Sequence, residues 1–276
     1  FYGVRGSTPC DSEENRRYGG NTSCVVIDEP GEIPIVLDLG TGVRFYGLSD
    51  SITEPFVGLA LVSHLHWDHV QGLPFFTAIN RPGARLEVVG PRQEGLSLED
   101  AVRGFMRPPY FPVRISDLAG SFRFHTLDDE VWEIGGAKVH ACAVPHCGPT
   151  NGYRIEFGGV SVVYIPDHQQ PIDGSHAVDP RVLELCHDAD LLIHDATFDD
   201  QENLQLTGIG QVGDDMPRVD DFHIVISRDV AGRDRTRALA VQGQFNAVAR
   251  VHTQGDALQV KQDFNHVLLH TFNACV

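Results

Sequence analysis

The chain has 276 residues, enough for one large domain or two small ones with an ample core, so it needs no disulfide scaffold. Lys and Arg total 21 against 38 Asp and Glu, a formal charge of -17, which argues against direct nucleic-acid binding because that depends on cations neutralising phosphates. No apolar run reaches the roughly 18 residues a membrane span needs, and six cysteines without a Cys-x-x-Cys pair exclude a zinc ribbon and favour a reducing, cytoplasmic compartment.

Cys24–Asp28 and Ile33–Leu39 read as strands split by the turn Glu29-Pro30-Gly31. Val57–Ser63 is a third strand, with the apolar run Leu59-Ala60-Leu61-Val62 of a buried element. Gln71–Ile79 is expected as a short helix, Arg85–Val89 as a strand, and Leu98–Phe105 as a helix with Ser97 as its N-cap. Met106–Phe111 carries two prolines and cannot be regular helix; it reads equally as a loop over a site or as a surface linker. Phe122–Thr126, Glu130–Ile134, Lys138–Ala143, Tyr153–Phe157 and Val160–Ile165 are expected strands, with hairpin signals at Gly135-Gly136 and Gly158-Gly159. Pro180–Cys186 reads as a helix and Leu191–His194 as a short buried strand. Further on, Phe222–Ser227 and His266–Leu269 read as strands and Ala238–Ala247 as a helix. Two batches of strands with helices between them favour a two-layer sheet core flanked by helices over a pure barrel.

The chemistry concentrates in Ser63-His64-Leu65-His66-Trp67-Asp68-His69, at the exit of the third strand. Imidazole nitrogens and a carboxylate are the ligand set of zinc and similar divalent ions. Four such groups on one turn are costly to desolvate without a cation among them. His64 and His66 are two apart and point the same way from an extended backbone, while Asp68 and His69 follow the turn and approach from another side. The loop alone cannot complete two sites, so partners are expected at other strand ends. His146, Asp167 and His270 each follow an apolar strand run. Cys147 reads as a residue that supports a ligand or packs, not as a ligand itself, and His140 as a packed or surface residue. Arg81, Arg85, Arg92, Arg103, Arg107, Arg114 and Arg123 form a local excess of guanidinium groups. Each reads first as dispersed surface charge, although one or two near a pocket would suit a phosphate.

The pattern His64-x-His66-x-Asp68-His69 resembles the signature of the metallo-β-lactamase superfamily. Gly3-Val4-Arg5-Gly6-Ser7, Tyr18-Gly19-Gly20-Asn21-Thr22-Ser23-Cys24, Asp38-Leu39-Gly40-Thr41-Gly42, Gly152-Tyr153-Arg154-Ile155 and His194-Asp195-Ala196-Thr197 are similar to its phosphodiesterase-like and ribonuclease Z-like members. The resemblance implies a four-layer αββα sandwich. It implies that His64, His66 and His146 hold one ion, that Asp68, His69 and His270 hold a second, and that Asp167 bridges them. His223 is the spare candidate for His270. Asp38 is implied as a carboxylate orienting a ligand histidine. His252, in the faint motif match Val251–Gly255, is implied to contact the reacting phosphate or to protonate the leaving group.

The expected protein is therefore one domain over residues 1–276, a metal-dependent hydrolase of phosphodiester bonds in a small or cyclic nucleotide-like substrate. Asp68, Asp167 and His252 are its expected catalytic residues. Two divalent ions per chain are expected, zinc first, with manganese or iron as alternatives. The expected partner is a small anionic substrate, with no membrane, no nucleic acid and a homodimer as the default assembly. Hydrolysis of a lactone, lactam, thioester or sulfate ester is an alternative, as is a non-catalytic metal-binding module of the same fold. The segment 200–250 is expected to be a lid or a subunit contact.

Overall fold

The computed structural model describes residues 1–13, 19–52, 54–169 and 178–194, and the backbone of 223–226 and 239–241. The first sheet holds β1 (Val25–Ile27), β2 (Ile35–Leu37), β3 (Val57–Leu61), β4 (Arg85–Gly90) and β5 (Ser121–Thr126) in that order. β1 and β2 are antiparallel, and β2 to β5 run parallel. The second sheet holds β6 (Val131–Ile134), β7 (Ala137–Ala143), β8 (Asn151–Phe157), β9 (Val160–Ile165), β10 (Leu191–His194), β11 (His223–Ile226) and β12 (Leu239–Val241). Its pairs are antiparallel except β9 with β10.

The sheets pack face to face through Leu37, Leu59, Leu61 and Val89 on one side and Val139, Tyr153, Ile155, Tyr164 and Ile193 on the other. The outer face of the first sheet, with Val36, Ala60, Val62 and Val88, is covered by α1 (Val43–Tyr46), α2 (Trp67–Val70) and α3 (Leu98–Phe105). The outer face of the second, with Cys142, Val163 and Ile165, is covered by α4 (Pro180–Cys186) through Val182 and Leu185. The result is the four-layer αββα sandwich. A parallel strand covered on both faces must be apolar at consecutive positions, which is why Leu59 to Val62 show no alternation.

Local signals explain the helix ends. The Ser97 hydroxyl accepts from the Asp100 N–H at the start of α3, and Asp179 caps α4 in front of Pro180. Three expectations are corrected. Gln71–Ile79 is two 3-10 turns, Leu73–Phe75 and Thr77–Ile79, because Pro74 sits in the first of them and breaks helical pairing; the helix comes earlier, at α2. Ala238–Ala247 is not helical at its start, since Leu239–Val241 is the sheet-edge strand β12. The segment 200–250 therefore contributes two strands to the second sheet. Cys147 is exposed and fills no packing role. His266–Leu269, His252 and His270 lie outside the described residues.

Candidate metal centre

The strand exit after β3 is clamped from both sides by backbone. Leu39 N–H donates to the His69 carbonyl at 2.8 Å and Gly72 N–H to the Leu39 carbonyl at 2.9 Å. The two loops approach so closely that a Cβ on Gly72 would lie 1.9 Å from the Gly40 carbonyl oxygen. Only glycine fits such a crossing. The same contact drives Asp38 under the histidine loop. Asp38 is fully buried and takes a left-handed backbone, φ 59°, a conformation Asp tolerates better than most residues.

Distant strand ends are tied in as well. Asn151 N–H donates to the Ser63 carbonyl at 2.8 Å, joining the turn after β7 to the histidine loop. Gln169 N–H donates to the Pro145 carbonyl at 2.7 Å, joining the exit of β9 to that turn. These links bring His146 and Asp167 to the loop. His64, His66, His146 and Asp167 each offer one ligand atom, all within 4.8 Å of one another, a group able to hold a metal ion. His64 Nε2 is 2.9 Å from His66 Nδ1, and His146 Nε2 is 3.3 Å from the same His66 atom. Oδ2 of Asp167 lies 3.1 Å from His64 Nε2, 3.0 Å from His69 Nε2 and 3.9 Å from His146 Nε2. Asp68 Oδ2 lies 3.2 Å from His69 Nε2 and accepts the Ser7 N–H at 2.7 Å.

The protonation pattern beneath these atoms follows from one carboxylate. Asp38 accepts from Ser63 N–H at 2.7 Å, Ser63 Oγ–H at 2.9 Å, Tyr164 O–H at 2.7 Å and His69 Nδ1–H at 2.7 Å. A carboxylate only accepts, so the single Ser63 hydroxyl proton is committed to it. Towards its imidazole neighbours Ser63 Oγ can then only accept, and His64 Nδ1–H at 3.0 Å is closer than His69 Nδ1 at 3.3 Å, which Asp38 already holds. When neutral, both His64 and His69 thereby carry their proton on Nδ1, which leaves Nε2 as the atom that can face a cation. Asp38 sets the tautomer of one directly and of the other through Ser63.

Nε2 of His69 is buried and makes no directed hydrogen bond. Asp68 and Asp167 are close to it, but off the line an N–H would take. Imidazole nitrogens and carboxylate oxygens crowd one point. A divalent cation is what this donor set fits.

Charges at the cluster agree. Burial opposes ionisation of Asp167, yet the His64 and His69 imidazoles outweigh it and hold the carboxyl far below the usual carboxylate range. Burial also opposes a charged His69, but the carboxylates of Asp38, Asp167 and Asp68 overcome it and raise its pKa well above the ordinary imidazole value. Burial lowers the pKa of His64 against the pull of Asp167. It lowers that of His66 too, with the His146 charge as the next cause. In Asp68, burial is outweighed by His69 and the Ser7 N–H, so its carboxyl sits low.

The structure brings together His64, His66, Asp68, His69, His146, Asp167 and Asp38. Three contributors went unassigned in the sequence. Ser63 stands directly before His64, a signal that was visible; Tyr164 looks like any strand aromatic, and the Ser7 N–H carries no residue-type signal at all. His140 is half-buried beside Glu156, at 3.6 Å, away from the cluster. Arg81, Arg92 and Arg103 pair with Glu54, Asp128 and Glu99, so these three are surface ion pairs.

An αββα sandwich with a His/Asp cluster at the strand exits defines a class of metal-binding proteins. The family description "Beta-lactamase superfamily domain" matches residues 50–258, and the chain belongs to the metallo-β-lactamase superfamily. Several relatives are ribonuclease Z-type proteins. The one from Methanopyrus kandleri is 31% identical over 235 residues, 73% of this chain and 75% of that protein. The ribonuclease Z of Staphylococcus carnosus is 24% identical over 213 residues, 60% of this chain and 66% of that protein. The endoribonuclease YSH1 of Yarrowia lipolytica is 29% identical over 188 residues, 64% of this chain and 22% of that protein. The chain thus spans less than two thirds of the length of several curated relatives it matches. Among solved structures, the short form of human tRNase Z superposes with a TM-score of 0.53 at 23% identity, covering 73% of this chain and 78% of that one. Zn(2+)-bound PqqB from Methylobacterium extorquens gives 0.50 at 21%, covering 76% and 72%.

Proposed function

We propose that the protein is a binuclear metal-dependent hydrolase that cleaves phosphodiester bonds in a small, nucleotide-like substrate. The observation that carries this reading is the meeting of two ligand groups on one oxygen. Asp167 Oδ2 lies within 3.0–3.9 Å of His64 Nε2, His146 Nε2 and His69 Nε2. In this reading His64, His66 and His146 hold one ion, Asp68 and His69 hold the other, and Asp167 serves both. The seventh candidate, His270, lies outside the described residues, as does His252, proposed to contact the reacting phosphate or to protonate the leaving group.

Bound divalent ions supply Lewis acidity and bring the pKa of water from about 15.7 towards about 7. The chain's own part is positional. Asp38, through His69 and Ser63, keeps two Nε2 atoms turned to the cluster. The Ser7 N–H holds the Asp68 carboxylate in place. Asp167 stays ionised because imidazoles surround it, so its Oδ2 is an acceptor for a proton from water.

The choice of phosphorus over carbon is supported by the ribonuclease names of the relatives. The net charge of -17 supports a small substrate over a long polyanion. The test is metal analysis after purification without chelator, followed by a panel of bis(p-nitrophenyl) phosphate, cyclic nucleotides, a lactone and a β-lactam. About two ions per chain and turnover of the phosphodiesters, lost on chelation and restored by zinc, are expected. Turnover of only the lactone or lactam overturns the substrate class. A protein that retains no metal overturns the enzyme reading in favour of a binding module.

A further inference from the structure

The loop that carries the ligand candidates also displays a large aromatic side chain. Trp67 stands between His66 and Asp68 and is 59% exposed, although indole is on average a highly buried group. Its ring is held in place by Phe105, which meets it at a tilt of 62° with centroids 5.8 Å apart. Phe105 ends α3, and the proline-broken loop that follows presents Tyr110, 70% exposed, and seats Phe111 edge-on against Phe75 at 5.7 Å. Arg107 stands two residues beyond Phe105. Its Nε donates to the Gly104 carbonyl, and no described carboxylate pairs with it, unlike Arg81, Arg92 and Arg103.

This surface adjoins the cluster along the chain. Consecutive Cα atoms are about 3.8 Å apart, so the indole is anchored one residue from two ligand candidates. That ring is thus an exposed aromatic face borne by the same loop that would hold an ester at the cluster. The neighbouring guanidinium and the cation-binding cluster both favour an anionic ligand, whereas the aromatic faces favour a flat π-system. A nucleoside phosphate combines the two.

We propose that Trp67, braced by Phe105, stacks the nucleobase of a small nucleoside phosphodiester and so sets the specificity of the site. The proposal rests on the phosphodiesterase reading above and names the organic part of its substrate. Stacking of this kind tolerates any base, because every base presents a π-face. The loop Met106–Phe111 is then part of the substrate surface and not a linker.

Two measurements test it. The other tryptophan, Trp132, stacks on His125 in the second half of the fold, so Trp132→Phe leaves Trp67 as the sole indole. Titration with AMP is expected to quench its emission saturably, and ribose 5-phosphate, which keeps the phosphate and lacks the base, to do so far less. No quenching by AMP, or equal quenching by both, overturns the proposal. The second measurement compares kcat/KM for thymidine 5′-(p-nitrophenyl phosphate) and methyl p-nitrophenyl phosphate. In Trp67→Ala, folded by circular dichroism, that ratio is expected to fall about 5- to 150-fold, with most of it recovered in Trp67→Phe. An unchanged ratio overturns the proposal, and decides alone if Trp132→Phe does not fold. AMP quenching without turnover of either ester would sink the phosphodiesterase reading and leave the base platform standing.

Discussion

Replacing Asp38 by Asn tests the organisation of the metal centre without confounding the backbone, because Asn tolerates the left-handed conformation at φ 59° as Asp does. Both oxygens of Asp38 accept. Oδ1 takes Ser63 N–H, and Oδ2 takes the Ser63 hydroxyl, Tyr164 and His69. An amide must turn its NH2 towards one of these sets. The lesser conflict faces it to Ser63 N–H, leaving two donors opposed at the former 2.7 Å contact in a site without solvent. A buried unsatisfied donor costs about 1–3 kcal/mol. At roughly 2–4 °C per kcal/mol for a chain of about this size, the thermal midpoint is expected to fall by about 2–12 °C. The negative charge that holds His69 Nδ1–H is lost as well. Weakening of such an orienting contact typically lowers metal affinity about 10- to 100-fold. Zinc affinity by competition with a chromophoric chelator, alongside thermal unfolding of the metal-free protein, reads both effects. If the affinity stays within twofold and the midpoint within a degree, Asp38 does not organise the site and the tautomer argument is wrong.

Ser63→Ala removes the relay between Asp38 and His64 while sparing the Asp38–His69 contact, so zinc affinity should drop by about tenfold; titration with the same chelator showing wild-type affinity would contradict it. Gly72→Ala places a methyl 1.9 Å from the Gly40 carbonyl oxygen, and the loops must separate. A clear fall in thermal midpoint together with loss of metal binding is expected, and a protein that binds zinc normally would refute the clamp. Burial pushes the thiols of Cys142 and Cys186 up to about 11, which disfavours thiolate at any lower pH. Their alkylation by iodoacetamide should therefore be slow at pH 7.5 and speed up about tenfold per pH unit below that value. Exposed Cys147 should be labelled first, and mass spectrometry showing Cys142 modified ahead of it at pH 7.5 would count against the buried assignment.

Much of this protein was legible from residues alone wherever the information is local. The run Leu59 to Val62 announces a strand buried on both faces, and four ligand-type side chains in the next seven positions follow within a single turn. Such signals need only backbone period and side-chain chemistry. The capped helices at Ser97 and Asp179, and the glycine hairpins, were equally local. Where a short segment was ambiguous, tertiary context decided: Pro74 broke an expected helix into two turns, and a sheet edge claimed Leu239–Val241.

What only the folded chain could decide is which distant groups meet. His146 approaches His66 across 80 positions, and the Tyr164 hydroxyl reaches Asp38 across 126. Neither separation leaves a periodic trace, because the contacts arise from two sheets packing face to face and from backbone links such as Asn151 to Ser63. The ligand types were written in the sequence; the single carboxylate that orders their protons, and the oxygen of Asp167 beside which the histidines gather, take their roles only once burial removes water and forces each polar atom to find a partner.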